Sequence, residues 1–359
     1  MNITIVGAGN IGTQFAVHCA EKGHNVIIYG SRPEEVQKEL EIVDETGKVL
    51  HKGIIKKATR VAAEAFSNAE VIFVTMPAYC MKKIALEIDP FVKSHVKIGL
   101  VPGTGGGECA FRKCIEKGAV IFGLQRVPSV ARLVKYGKQV CAIGYRSELN
   151  VGALPSHYGE ECRRLVEEIF QIPCNVVKEY LSLTLTPSNP ILHTSRLRIL
   201  FKDYKDGMLY DRVPLFYEEW NNETSELLIR CDEELQCICK KLTMFDLNDV
   251  KSLKIHYESD TPEELTDKIR SIKGFKGLKS PVKQIGDKYI PDFSSRYFTA
   301  DFPYGLFILL QVGNMVNIDI PNMKEVYEWY RSVTDLENEF SFEEYDIKNL
   351  SDFKSFYKQ

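Results

Sequence analysis

The twelve residues that open this chain, Met1–Gly12 (MNITIVGAGNIG), constrain its fold more than any other stretch. Ile3, Ile5 and Val6 make a short apolar strand, and Gly7, Gly9 and Gly12 follow at G-x-G-x-x-G spacing. Each glycine has its own reason. Gly7 permits the tight turn out of the strand, Gly9 lets backbone come close to a pyrophosphate, and Gly12 lets the next helix pack against the sheet. That helix aims its N–H groups and the positive end of its dipole at the phosphates. An amphipathic segment does follow, with Phe15, Cys19 and Ala20 apolar and Thr13, Gln14 and Glu21 polar, and Gly23-His24 ends it. The expectation is a dinucleotide-binding turn made by Gly7, Gly9, Asn10, Ile11 and Gly12.

What comes after the second strand, Asn25–Tyr29, bears on which dinucleotide is bound. A preference for NAD usually shows as Asp or Glu at the end of this strand, holding the adenosine ribose hydroxyls. This chain has Gly30-Ser31-Arg32 there. A hydroxyl and a guanidinium suit a 2′-phosphate, which a carboxylate would repel. Ser31 and Arg32 therefore favour NADP(H) over NAD(H), against the plainer alternative of a solvated arginine before Pro33 and a helix start.

Residues 41–60 read as a hairpin or an irregular excursion turning at Glu45-Thr46-Gly47. Ala69–Met76 is a continuous apolar run, the pattern of a parallel strand covered on both faces, and it stops at Pro77, a candidate cofactor contact. Val96–Val101 repeats the pattern and runs into Pro102-Gly103-Thr104-Gly105-Gly106-Gly107. Ligands approach the backbone just beyond such strand ends, which makes Thr104 a candidate substrate contact, the alternative being a loop that needs unusual φ/ψ. Strands at Val120–Leu124, Gln139–Ile143 and Asn175–Val177 and a helix near Tyr158–Phe170 continue an α/β pattern that ends near residue 182. Beyond it, helical periodicities dominate, one running from Val213 to Leu242 through Phe216, Trp220, Leu227, Cys231, Leu235, Ile238 and Leu242. This stripe reads as core or as the face of a homodimer. Ser271–Lys288, rich in Gly, Lys, Ser and Pro, reads as a loop. The architecture expected is α/β: an N-terminal Rossmann dinucleotide-binding domain, residues 1–182, and a C-terminal all-α domain, residues 183–359, carrying substrate and catalytic groups.

At 359 residues the chain is long enough for two such domains. Its 46 Lys and Arg against 49 Asp and Glu give no electrostatic case for nucleic acid or an anionic membrane. The apolar runs are too short to span a bilayer, and the first strand begins where a signal peptide would lie, so a cytoplasmic protein is expected. Ten cysteines are scattered, and Cys231, Cys237 and Cys239 share one segment without a histidine, so reduced structural thiols are expected and no metal.

Reducing a carbonyl or imine with a dinucleotide needs a proton donor near the acceptor, and a cation if the substrate is a carboxylate. His193 closes Asn189-Pro190-Ile191-Leu192-His193, where Asn189-Pro190 marks a turn and Asn189 a candidate substrate contact. His256 lies in a polar stretch without such a motif. Asp301, in Arg296-Tyr297-Phe298-Thr299-Ala300-Asp301, is placed to N-cap a helix beginning near Pro303, or to orient His193. Arg296 has the fork to hold a carboxylate.

These segments resemble the octopine/nopaline (opine) dehydrogenases over nearly the whole chain. The resemblance rests on Gly7-Ala8-Gly9-Asn10-Ile11-Gly12, on Asn189–His193, on Arg296–Asp301 with Pro303-Tyr304-Gly305-Leu306, and on Pro128-Ser129-Val130-Ala131-Arg132. It implies a Rossmann domain followed by a helical domain with the active site between them. The implied reaction is NAD(P)H-dependent reductive condensation of a 2-oxo acid such as pyruvate with the amino group of an amino acid. By position, His193 matches the acid/base histidine, Asp301 its carboxylate partner and Arg296 the substrate-carboxylate arginine. Two departures stand out: Thr194 replaces the proline many members carry after the histidine, and no cysteine precedes Arg132. A plain NADP-dependent 2-oxo acid reductase of the ketopantoate reductase type, and a non-catalytic NADP(H) sensor, are the competing expectations.

Overall fold

The structure, a computed structural model, describes residues 1–335 and 338–359. Its contacts divide the chain into Met1–Thr184 with Lys354–Gln359, and Leu185–Phe353. In the first unit the strands are β1 (Asn2–Val6), β2 (Asn25–Tyr29), β3 (Glu39–Val43), β4 (Val49–Ile54), β5 (Lys57–Thr59) and β6 (Val71–Val74). They continue as β7 (Lys97–Leu100), β8 (Val120–Leu124), β9 (Val130–Lys135), β10 (Gln139–Ile143), β11 (Leu149–Leu154) and β12 (Cys174–Val176). The main sheet has the order β12-β11-β8-β7-β6-β1-β2-β5. It is parallel from β5 to β8, and β11 runs antiparallel to β8.

The runs AEVIFVTM and VKIGLV are continuous because β6 and β7 lie inside this sheet, where both faces are covered. Val71–Val74 are all buried. The chain leaves β1 for β2 on one side and reaches β6 on the other, so the order reverses at β1, and ligands bind beyond the carboxyl ends of strands at such a switch point. Helix α1 (Asn10–Glu21) follows β1 and buries Phe15 edge-on between Phe73 and Phe170, at 5.1 and 4.6 Å.

The excursion at residues 41–60 is the hairpin β3–β4, with Asp44 Oδ1 accepting from Thr46 N and Lys48 N across its turn. It joins β10 and β9 in a second sheet, β4-β3-β10-β9, which the one-dimensional pattern does not reveal. The last six residues return to this unit, where Tyr357 Oη donates to the buried Glu108 at 2.6 Å.

The second unit is helical with a small hairpin. Its longest helix is Asn222–Lys241 and does not begin at Val213 as the periodicity suggested. Asn221 ends the irregular segment before it by accepting Thr224 N–H, so Phe216 and Trp220 are buried aromatics of a loop that mimic helical spacing. Leu227, Cys231, Leu235 and Ile238 do lie on the helix, and all are buried in the unit's own core. The stretch read as a loop at Ser271–Lys288 holds the helical turn Lys273–Phe275 and the first strand of an antiparallel pair, Val282–Ile285 with Lys288–Pro291.

Asp232, buried on the long helix, accepts Leu253 N–H at 2.8 Å, and burial pushes its carboxyl up to about 6 from 3.8. A raised folded value means that the stability contributed by the bound proton is complete below 3.8 and is lost as pH rises through about 6. Asp232→Asn keeps an acceptor without the charge, so near neutral pH it should be more stable than the parent by about 1–3 kcal/mol. Urea unfolding at neutral pH and below the unfolded carboxyl's range checks this. The difference should vanish in acid, and a constant difference would remove the titration as its cause.

Candidate active site

The glycine turn fits a dinucleotide. Gly7 takes φ +104°, and a Cβ on Gly12 would lie 1.9 Å from the Gly7 carbonyl oxygen, so both positions require glycine. A Cβ on Gly9, by contrast, meets nothing within 4 Å: the space in front of the turn is open, as a pyrophosphate needs. The first turn of α1 has no acidic residue and no side-chain cap, so its N–H groups and dipole are left for an anion. Asn10 Oδ1 accepts Leu133 N–H at 2.8 Å, and Gln14 Nε2 donates to Ser129 Oγ at 2.7 Å. The stretch from Ser129 to Leu133 thus braces the helix that carries the fingerprint. Pro77 precedes a helical turn at the end of β6, and half-buried Thr104 follows β7 next to Gly105 and Gly106, both at positive φ.

At the end of β2, Ser31 and Arg32 are exposed. The Arg32 guanidinium lies 3.7 Å from the centre of the Tyr136 ring and 3.2 Å from a Glu35 oxygen. Exposed pairs of this kind contribute little, so Glu35 does not commit the arginine.

In the second unit the two sequence segments become two π-helical turns, Ser188–His193 and Phe302–Leu306. Such turns are rare and concentrate where a side chain must be re-aimed at a functional position. They pack on each other: a Cβ on Gly305 would be 3.1 Å from Pro190 Cγ, so the bare glycine permits the approach. Thr194 opens the following helix and donates its hydroxyl to Pro190 O at 2.5 Å, which stabilises the turn without proline there.

This packing brings His193 Nδ1 to 2.8 Å from Asp301 Oδ2, with both residues about 7% exposed. Asp301 occupies the N-cap position expected of it, but its side chain does not cap; it goes to the histidine. A carboxylate only accepts, so the proton is assigned to Nδ1 and the lone pair to Nε2. Nε2 lies 3.0 Å from the hydroxyl of Tyr217, which donates to it. Burial pushes the Tyr217 phenol far up, so it stays a donor. Tyr217 stacks on Phe275 at 4.0 Å, and the neighbouring Phe216 carbonyl accepts from the buried Arg196 Nε at 2.8 Å. Tyr297 lies 4.8 Å from the imidazole. Arg296 is exposed and has no ion pair among the described residues, and its charge favours the Tyr217 phenolate. His256 is exposed on the helix Leu253–Tyr257.

Residues 176–334 match the family described as NAD/NADP octopine/nopaline dehydrogenase, alpha-helical domain. The helical half of the chain thus carries the octopine/nopaline dehydrogenase domain. Residues 2–103 match a family described as NADP oxidoreductase, coenzyme F420-dependent. Tauropine dehydrogenase of Arabella iricolor is 24% identical over 91% of this chain and 90% of its own length. An octopine dehydrogenase solved with NADH and L-arginine superposes with a TM-score of 0.86 at 21% identity, over 100% of this chain and 99% of that one. A PanE/ApbA ketopantoate reductase from Ralstonia eutropha is more distant in fold, with a TM-score of 0.60 at 15% identity over 92% of this chain and 98% of that one. The chain is therefore an NAD(P)-dependent dehydrogenase with a Rossmann unit and a helical unit.

The residues singled out from sequence fall into separate groups in this dehydrogenase. Gly7, Gly9, Asn10, Ile11 and Gly12 form one turn, Ser31 and Arg32 end the neighbouring strand, and His193, Asp301 and Asn189 lie on or beside the paired π-turns. Tyr217 and Arg196 went unnoticed. The Pro214 and Asn221 that bracket the Tyr217 loop were the available signal that helix does not run through it.

Proposed function

We propose that this dehydrogenase condenses a 2-oxo acid of the pyruvate type with the amino group of an amino acid, using NADPH in preference to NADH. The observation that carries the chemistry is the Asp301–His193–Tyr217 chain, an imidazole held at one nitrogen by a carboxylate and at the other by a phenol. When bound, the nicotinamide supplies the hydride. Asp301 fixes the tautomer and balances the imidazolium that forms when Nε2 is protonated. The protonated Nε2 donates to the carbonyl oxygen of the oxo acid as the amine attacks and the C–N bond forms; Nε2 then takes a proton from the attached nitrogen and gives it to the resulting hydroxyl, which leaves as water as C=N forms. Tyr217, already donating to Nε2, holds the imidazole until substrate arrives and passes a proton along the same line. Arg296, with no ion pair among the described residues, forks onto the oxo acid's carboxylate, while Asn189 takes a remaining polar group. A fixed cation and a fixed donor supply orientation and charge stabilisation, and this chemistry requires no metal. NADPH oxidation that requires both a 2-oxo acid and an amino acid tests the reading. Oxidation with the oxo acid alone would make the protein a plain reductase.

The preference for NADPH rests on Ser31 and Arg32 and on the absence of a carboxylate at the end of β2. Arg32→Ala should raise the KM for NADPH about tenfold and leave that for NADH nearly unchanged. Glu35→Gln, which removes only an exposed pair, should leave the NADPH value within about twofold. An unchanged NADPH/NADH ratio in Arg32→Ala would refute the assignment.

A further inference from the structure

We propose that His18, Glu21 and His51 form a binding site for one divalent metal ion, zinc by its donor set, which staples helix α1 to the hairpin β3–β4. His18 and Glu21 are three residues apart on the last turns of α1 and so share a face. His51 comes from β4, where it pairs with Ile42 of β3. Two separate features create the juxtaposition. First, β4 approaches α1 so closely that a Cβ on Gly53 would lie 2.8 Å from Val17 O and 2.9 Å from Val17 Cα, a contact only glycine allows. Second, the His18 ring is fixed in place: it is 4% exposed, its Nε2 lies 3.0 Å from the Tyr145 hydroxyl and its plane meets Phe170 edge-on.

One ligand atom from each of the three residues lies within 4.8 Å of the other two, and no other trio of His, Cys, Asp or Glu among the described residues does so. His51 Nδ1 and Glu21 Oε2 are already 2.9 Å apart. Donors around a tetrahedral zinc are about 3.3–3.5 Å from one another, so small rotations of the two solvent-facing side chains bring the set into range. Two imidazoles and a carboxylate with water as the fourth ligand is a donor set zinc accepts, and it excludes the softer thiolate-bound ions. The hydroxyl of Tyr145 plays the part of the outer hydrogen bond that orients a ligating histidine. About a third of each of the Glu21 and His51 side chains is exposed, which leaves an entry path. His18 is nine residues along the helix from Gly9, roughly 14 Å at the helical rise, so the ion serves packing and takes no part in hydride transfer.

Calorimetric titration of metal-stripped full-length protein with zinc, with thermal unfolding alongside, tests this. One zinc should bind per chain and raise Tm by about 5–10 °C at a hundredfold excess over Kd. His51→Ala and Glu21→Gln, both at solvent-facing positions, should abolish the binding and the Tm rise while their metal-free Tm stays close to that of the parent. Tyr145→Phe should weaken binding about 10–100-fold. Cobalt in place of zinc should give tetrahedral d–d bands without a thiolate charge-transfer band, which separates this site from adventitious binding at the exposed Cys237. No binding by the parent, equal binding by His51→Ala and Glu21→Gln, or a thiolate band would each overturn the proposal.

Discussion

His193→Ala is expected to lower kcat about 10²–10⁴-fold, the range a positioned general acid/base supplies, while the Kd for the dinucleotide changes less than about twofold. The imidazole donates at Nδ1 to Asp301 and accepts at Nε2 from Tyr217, and it lies in a different unit from the glycine turn. Removing it should therefore leave the cofactor turn intact. Asp301→Asn should come close to the same loss. An amide can donate where the carboxylate could only accept, so the histidine is free to take the other tautomer and offer the wrong nitrogen. Tyr217→Phe removes a single hydrogen bond and should cost about tenfold or less. This graded order distinguishes a working chain from a buried structural pair, for which the variants would lose Tm and keep their specific activity. Full turnover in His193→Ala or Asp301→Asn with cofactor binding preserved would end the assignment.

The second large effect separates the roles of two glycines three residues apart in the same fingerprint. Gly12→Ala puts a methyl 1.9 Å from the Gly7 carbonyl oxygen, a backbone atom that cannot rotate away. Overpacking of this kind costs typically ~1–3 kcal/mol, so both Tm and dinucleotide affinity should fall, the latter about 10–100-fold. Gly9→Ala has open space for its methyl, and its φ of −81° suits any residue, so Tm should hold. The same methyl fills the space in front of the helix N-terminus, so affinity should fall about as far as in Gly12→Ala. Fluorescence titration with NADPH and thermal melts on both variants decide the matter. Unchanged affinity in Gly9→Ala would mean that the phosphates do not approach this turn.

Much of the first unit was legible because its signals are local. The fingerprint glycines act within six residues of one another, and β6 and β7 show as continuous apolar runs because both of their faces are covered. The sheet β4-β3-β10-β9 was not legible, since β3 pairs with β10 across about a hundred residues and nothing in either strand's pattern names its partner. In the second unit His193 and Asp301 were found through their motifs, but the geometry that joins them was not. A π-turn has no periodicity of its own, and Asp301 followed by Pro303 reads as an ordinary N-cap. Tyr217 was hidden by Phe216 and Trp220, whose four-residue spacing imitates a helix that begins only after Asn221.

Joining two substrates, and not merely reducing one, is what sets the proposed reaction apart from that of a plain reductase. Mass spectrometry of the product made from pyruvate, an amino acid and NADPH tests it most directly, run over a panel of amino acids. The expected product is a secondary amine carrying both carbon skeletons, formed in step with NADPH consumed and absent with His193→Ala. Lactate as the sole product, at a rate indifferent to the amino acid, would contradict it.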